Sequence, residues 1–424
     1  MKIFLEQITL RSFVQYLIYF FPFVFFLRSG ALNLFLVILI VAGFILIHLN
    51  KIKIYLNNID VLFFLFFLTI IFSSSLNIEI IGYENFLKSI FLLRFFFLYL
   101  LVKTLAANKL IDFKKLSLVC CISALILSFD IFTQHLFGKD MFQNRPHDDR
   151  YNGLFGTEAV AGSYIHIFCM LSIFFLVEKK IKFFFKIIIL TFFGLGILAS
   201  FDRTPYLMYI FFIILLSIFL DKKFFFVLLL NLIFFLFLFN TINHFNNRYL
   251  KLYKSLENAL EITINDKKKI SENNTPQTKI IVLENYFNIY LTTFELSKKN
   301  LLFGSGHKSF RILCPEIIIN TEEYKKVCSL HPHHLYLEIL STSGVISLIL
   351  FIMFLCGIFF NIFLRCENKK YKVIFFIILL VELFPLRPYG SVLSSFHGTM
   401  IWFLLSIIFS QLAQVKDSNK TYPK

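Results

Sequence analysis

The chain has 424 residues, of which 58% are hydrophobic and only 16% charged, and its formal net charge is +16. A soluble domain cannot bury that much apolar surface, whereas a bilayer offers an apolar solvent for it. The apolar runs are continuous and lack period-two alternation, which excludes a barrel and leaves helices that satisfy their own backbones.

In chain order, apolar runs predict membrane spans near 12–27, 31–49, 60–76, 89–106, 116–136, 159–177, 183–201, 205–220, 223–240, 343–364, 371–386 and 395–414. The first run has no small-residue cleavage site after it, so it reads as a span rather than a removable signal. With the N-terminus inside, Lys51, Lys53, Lys109, Lys114, Lys115, Lys179, Lys180, Lys182, Lys222, Lys223, Lys369, Lys370 and Lys372 all fall at inner connections. That satisfies the positive-inside rule at each of them. It also accounts for the basic charge without a nucleic-acid partner. The expected fold class is therefore all-α, a polytopic transmembrane bundle of about twelve helices with both termini inside.

Two outer stretches remain, 137–158 and 241–342. The chain divides into 1–240 with the first nine spans, the large loop 241–342, and 343–424 with the last three spans and an inner tail. In the loop, Tyr249, Tyr253, Leu256 and Leu260, then Leu283, Tyr286, Tyr290 and Phe294, stand at helical spacing. They predict amphipathic helices on the membrane surface or against the bundle. Residues 263–280 read as a polar linker between them.

Lysine does the orienting, so the arginines need another reason. Arg28, Arg145, Arg150, Arg203, Arg248, Arg311 and Arg387 fall on the outer side, and Arg94 falls within a span. A guanidinium grips phosphate with two parallel hydrogen bonds where lysine is a point charge. The cluster points to an anionic ligand such as a pyrophosphate, with Arg94, Arg150, Arg203 and Arg311 as binding candidates. The competing reading is snorkelling to lipid headgroups. It is weakest for Arg94, because charge in mid-span is costly.

The most informative stretch is HPHHLYLEILSTSG, residues 331–344. Histidines at a helix entry suit a general base near neutral pH. Metal and structural roles compete with that reading. Against metal, His333 and His334 are adjacent and do not easily face one ion. Glu338 follows on the next turn. Upstream, LFGSGHKSF places Gly304 and Gly306 where a tight turn or close backbone approach is needed, and they are counted with the substrate-binding candidates.

These motifs, with RYNGLFGTEAVAGSYI (150–165), SFDRTPYL (200–207) and LLFGSG (301–306), resemble in order and topological place those of the O-antigen ligase and polymerase superfamily. His333 falls at that family's key histidine, His334 stands where asparagine is usual, and Gly344 matches its glycine. The resemblance implies a glycan transferase of the bacterial inner membrane with a periplasmic active site. The donor would be an undecaprenyl-pyrophosphate-linked glycan, and the acceptor either lipid A–core or another glycan. His333, His334 and Glu338 are the catalytic candidates, with His333 favoured as base. Asp148 and Asp149 are the other nearby acids, and Asp202 is expected to orient Arg203. No metal or other cofactor is expected, and the sequence has no glycine-rich phosphate loop or DXD run. Ligase is favoured over polymerase. A lipid-linked glycan transporter is the alternative of another class, with no half-to-half repeat to support it, and a scaffold is a third.

On an oxidising periplasmic side, Cys314 and Cys328 are expected to form a disulfide closing a loop before the histidines. The other cysteines lie in or beside spans and read as small apolar residues. Glu382, in the eleventh span, faces the choice between packing against Arg387 and lining a channel.

Overall fold

The computed structural model describes residues 2–147, 150–177, 181–241, 250, 283–317, 326–366 and 368–418. The expected helix over 247–262, the linker 263–280, Arg248, Asp148 and Asp149 lie outside these residues.

Each of the twelve apolar runs contains a helix. They are α1 (Lys2–Val24), α2 (Arg28–Leu49), α3 (Asn58–Leu76), α6 (Leu93–Ala107), α7 (Phe113–Phe137), α8 (Ala161–Leu176), α9 (Phe183–Ala199), α10 (Arg203–Phe219), α11 (Phe225–Thr241), α14 (Leu335–Arg365), α15 (Lys369–Glu382) and α16 (Phe396–Ser418). The short helices α4 (Ile78–Ile81), α5 (Tyr83–Ile90) and α13 (Ser309–Leu313) and the loop helix α12 (Leu283–Lys299) complete the set among the described residues. Six helical stretches are long and apolar enough to cross a bilayer, one of them the paired α1–α2 run Thr9–Leu49. Four more, in α8, α9, α10 and α16, are apolar but shorter.

Local chemistry starts several of these helices. At α3 a reciprocal capping box forms, the Asn57 side chain accepting from the Asp60 N–H and Asp60 accepting from the Asn57 N–H. Asp112 caps α7 and Asn368 caps α15, each accepting from the first-turn N–H groups. One buried core runs through the bundle. At its centre Trp402 of α16 meets Phe63, Phe66 and Phe67 of α3, Phe95 of α6 and Phe351 of α14. Its indole N–H donates to the Val392 carbonyl at 2.9 Å.

Helix α14 begins eight residues before the predicted span, at Leu335, and it is broken. Gly344 takes φ 77° and ψ −176° inside it. A break frees carbonyls and N–H groups that must find partners elsewhere. The segment 301–306 supplies them. Ser305 N–H donates to Ser341 O, Gly306 N–H to Thr342 O, and Val345 N–H to Leu301 O, each at 2.9 Å. A Cβ on Gly344 would sit 2.1 Å from Leu302 O, and one on Gly304 would sit 2.4 Å from Ser343 N. Only glycine permits this approach. The Ser73 hydroxyl on α3 also donates to Thr342 O. The first part of α14, 335–343, is thus a half-helix pinned by a chain segment and by α3, and its N-terminus presents the histidines.

Candidate active site

Three elements hold the histidine segment. From one side, the Tyr389 N–H donates to His333 O at 2.8 Å, and the Tyr290 hydroxyl of α12 donates to the same carbonyl at 3.3 Å. From another, Cys314 and Cys328 are joined in a disulfide with Cα atoms 5.7 Å apart, three residues before His331. Beneath it, Ile289, Leu296, Phe310, Cys314 and Ile317 form a small second core, with Tyr286 and Tyr290 packed on it. The amphipathic pattern of α12 therefore faces the histidine segment, which settles the choice left by its spacing in favour of packing. Tyr286 meets the His333 ring edge-on at 5.6 Å between centroids.

The adjacent histidines have different positions. His334 is the N-cap of α14, its Nδ1 accepting from the Leu337 N–H at 3.3 Å. Asparagine serves the same capping purpose, so this position asks for a short-range acceptor before it asks for a base. His333 is half-buried with φ 53°, a left-handed conformation uncommon outside glycine, and its ring lies 4.0 Å from that of His331. Burial pulls His333 below the usual histidine range, and the Arg150 charge adds to the effect. It therefore stays neutral, as a base must, to lower pH than a free histidine.

Glu338 is 6% exposed and does not face His333 as a free carboxylate. It accepts from the Ser391 hydroxyl and, at 3.0 Å, from the Val392 N–H, tying the 385–395 segment to α14. A second carboxylate organises that segment from below. Glu382, fully buried, accepts from Arg387 Nη1 at 2.9 Å and from the Tyr389 hydroxyl at 2.5 Å, and lies 3.5 Å from His166 Nε2. The open question over Glu382 resolves as a packed ion pair, and it positions the residue whose N–H holds His333.

The arginines divide into two groups. Arg150 Nη1 lies 3.2 Å from Asp202 Oδ1, and the Gly162 N–H donates to Asp202 Oδ2 at 3.0 Å. Asp202 thus orients Arg150, not Arg203 as its sequence neighbour suggested, because its carboxylate faces back over α8. Arg203 opens α10 and is half-buried, with no hydrogen-bond or ion-pair partner among the described residues. Arg94 lies within the apolar stretch Tyr83–Ala107, which is long enough to cross a bilayer, as its span reading expected. It lies in the first turn of α6, just past the break after α5, with its guanidinium 4.6 Å from the Phe95 ring centroid and Nη1 donating to Phe91 O at 3.3 Å. Arg311 is exposed on α13.

Gly304 and Gly306, expected at the substrate, pack against the broken helix. Beyond them the chain reaches His307, whose N–H donates to the Ser74 hydroxyl at 3.0 Å. His307 and His331 line a cavity of about 50 Å³ together with Lys308, Phe310, Leu330, Pro332, Glu338, Thr342, Ser391, Leu393 and Ser394. His307 carries no motif in the sequence, being a lone histidine after two glycines. Its only local signal was the paired glycines that bring the chain to α14 at this point. No group of three or more histidine, cysteine or acidic side chains with metal-binding geometry occurs among the described residues.

The family model described as O-antigen ligase matches residues 187–352. That stretch runs from α9 to just beyond the Gly344 break and contains Arg203, Arg311, the disulfide and the histidines, but not Arg94 or Arg150. No curated protein matches the chain.

Proposed function

We propose that this multi-pass bacterial membrane protein of the O-antigen ligase-like superfamily transfers a glycan from an undecaprenyl-pyrophosphate carrier to lipid A–core at the periplasmic face of the inner membrane. The observation that carries the reading is the position of His333. It lies inside the matched stretch, neutral and half-buried, and is held through its backbone by Tyr389 and Tyr290, so its ring is left for chemistry.

In this reading a ring nitrogen of His333 takes the proton of an acceptor sugar hydroxyl as its oxygen bonds to C1 of the donor sugar. The bond from C1 to the pyrophosphate oxygen breaks, and the electron pair leaves with undecaprenyl pyrophosphate. Arg150 and Arg203, joined through the Asp202 turn, bind that leaving group and stabilise its growing charge. The lysines at the connections expected to be inner support this end of the bundle being the periplasmic one.

The test is complementation in ligase-null and polymerase-null hosts with the wild type, His333→Ala and Arg203→Ala, scoring lipopolysaccharide on gels. Core-linked long chains restored by the wild type alone, in the ligase-null host, support the ligase. Ladders restored only in the polymerase-null host would overturn it in favour of a polymerase of the same superfamily.

A further inference from the structure

The cavity behind His331 is a built polar site with unused hydrogen-bonding groups. His307 is 4% exposed, and its Nδ1 has no partner among the described residues. The buried Nε2 of His331 likewise has none. Buried ring nitrogens are ordinarily satisfied, and leaving one unpaired is costly. Two of them on one cavity wall mark a place where a ligand completes the bonding.

The charges around it indicate what kind of ligand. Lys308 lines the cavity, held in a left-handed conformation at φ 64° that directs the chain back across it. Burial and the neighbouring Lys308, Arg311, Arg94 and Lys88 charges push His307 down to about 3. Burial first, then the His333, His397 and Arg311 rings and charge, hold His331 at about 3. Both imidazoles are therefore neutral at physiological pH; the N–H of a neutral His307 ring is a donor without a competing hydrogen bond, while the His331 ring also meets the Tyr389 backbone. Acids are present too. Glu338 lines the cavity but is taken up by Ser391 and Val392, and Glu84 is paired with Lys88 outside it. The uncommitted charge is thus positive. The volume holds roughly three water-sized groups, the bulk of a carboxylate or phosphate rather than of a sugar ring.

Arg150 is the cation that bears on His333, whereas Arg311 bears on His331, with the two rings 4.0 Å apart. Neither Arg150, Asp202 nor Arg203 lines the cavity, which is walled instead by His307, Lys308 and His331. We infer that this cavity, with His307, Lys308 and His331, is a second oxyanion subsite that takes a carboxylate or phosphate substituent of the acceptor glycan, separate from the turn that holds the donor pyrophosphate. Its assignment to the acceptor rests on the transferase reading, in which His333 activates the acceptor hydroxyl. The presence of the subsite does not.

The experiment is thermal unfolding of the purified full-length protein in detergent, followed by fluorescence, with inorganic phosphate, glucuronate, glucose or sodium chloride of matched ionic strength. Phosphate or glucuronate at millimolar concentration should raise the Tm of the wild type and of Arg203→Gln by a few degrees, while glucose and sodium chloride leave it unchanged. The shift that persists in Arg203→Gln should vanish when His307→Gln or Lys308→Glu is added to it, the latter a half-buried position that serves should the former fail to fold. A response to phosphate alone identifies a phosphorylated glycan, and one to glucuronate alone an acidic sugar. Equal shifts with sodium chloride, no shift with either anion, or a shift lost in Arg203→Gln but kept in Lys308→Glu overturns the subsite. His333→Ala should keep the shift while losing transfer, so failure of the transferase reading is visible separately.

Discussion

Lys103 and His307 are both buried basic residues, 7% and 4% exposed, but their surroundings differ. Lys103 Nζ meets Asp60 and donates to Tyr55 O, and Asp60 also accepts from the Tyr99 hydroxyl at 2.6 Å and the Asn57 N–H. Both charges are matched and no ligand is called for, so the cluster ties α3 to α6 and nothing more. His307 has a backbone tether to Ser74, an unpaired ring nitrogen and cations for neighbours. A fully satisfied polar cluster fixes a fold, and a half-satisfied one beside a cavity leaves bonding capacity for a ligand.

The largest effect expected is at the base. His333→Ala should lower transfer by about 10²–10⁴-fold with little change in Tm, since its tethers are made by the backbone; this is read as initial rates on lipid-linked donor. A rate within a few fold of wild type would move the base elsewhere.

The comparison itself is tested by stability. Lys103→Met leaves Asp60 buried without its cation and should cost about 3–5 kcal/mol, while transfer per folded molecule is unchanged. His307→Gln, which removes a ring nitrogen already unpaired, should cost about 1 kcal/mol or less. Equal losses in denaturant unfolding would erase the distinction between the two clusters.

Next comes the disulfide. Removing the cross-link with Cys314→Ser and Cys328→Ser should cost about 3 kcal/mol by loop entropy and lower the rate, because the segment carrying His331 and His333 loses one of its anchors. A rate unchanged in the double variant would show that Tyr389 and Tyr290 suffice.

A smaller effect concerns pH. His307 and His331 are both held near 3, below the value of about 6.5 in an unfolded chain. Between those values the unfolded state binds protons that the folded state refuses, so stability falls as pH drops from 6.5 towards 3 and is intact above 6.5. Each group should contribute about 2 kcal/mol of loss between pH 6.5 and 5, and His307→Gln should flatten the slope by its share. Smallest of all, His334→Asn should keep both rate and stability, whereas His334→Ala should lose about 1 kcal/mol with the cap. A rate lost in His334→Asn would make that ring a participant.

The twelve apolar runs were legible as helices because hydrophobic continuity is a local property, and so were the histidine segment and the glycines around it. What local pattern could not supply was pairing across the fold. Asp202 reads as the partner of Arg203 because they are neighbours, and only the turn over α8 directs it to Arg150. Gly304 and Gly306 read as a ligand loop, and only the break at Gly344 shows which backbone they approach. His307, far from the histidine motif in sequence, joins it because the freed carbonyls of α14 draw 301–306 across them. The sequence alone determined the helical membrane architecture and singled out the histidine segment as the candidate site. The tertiary structure decided which polar groups are spent on each other and which remain free, because hydrogen bonds and charges are matched by distance in space, which spacing along the chain does not encode.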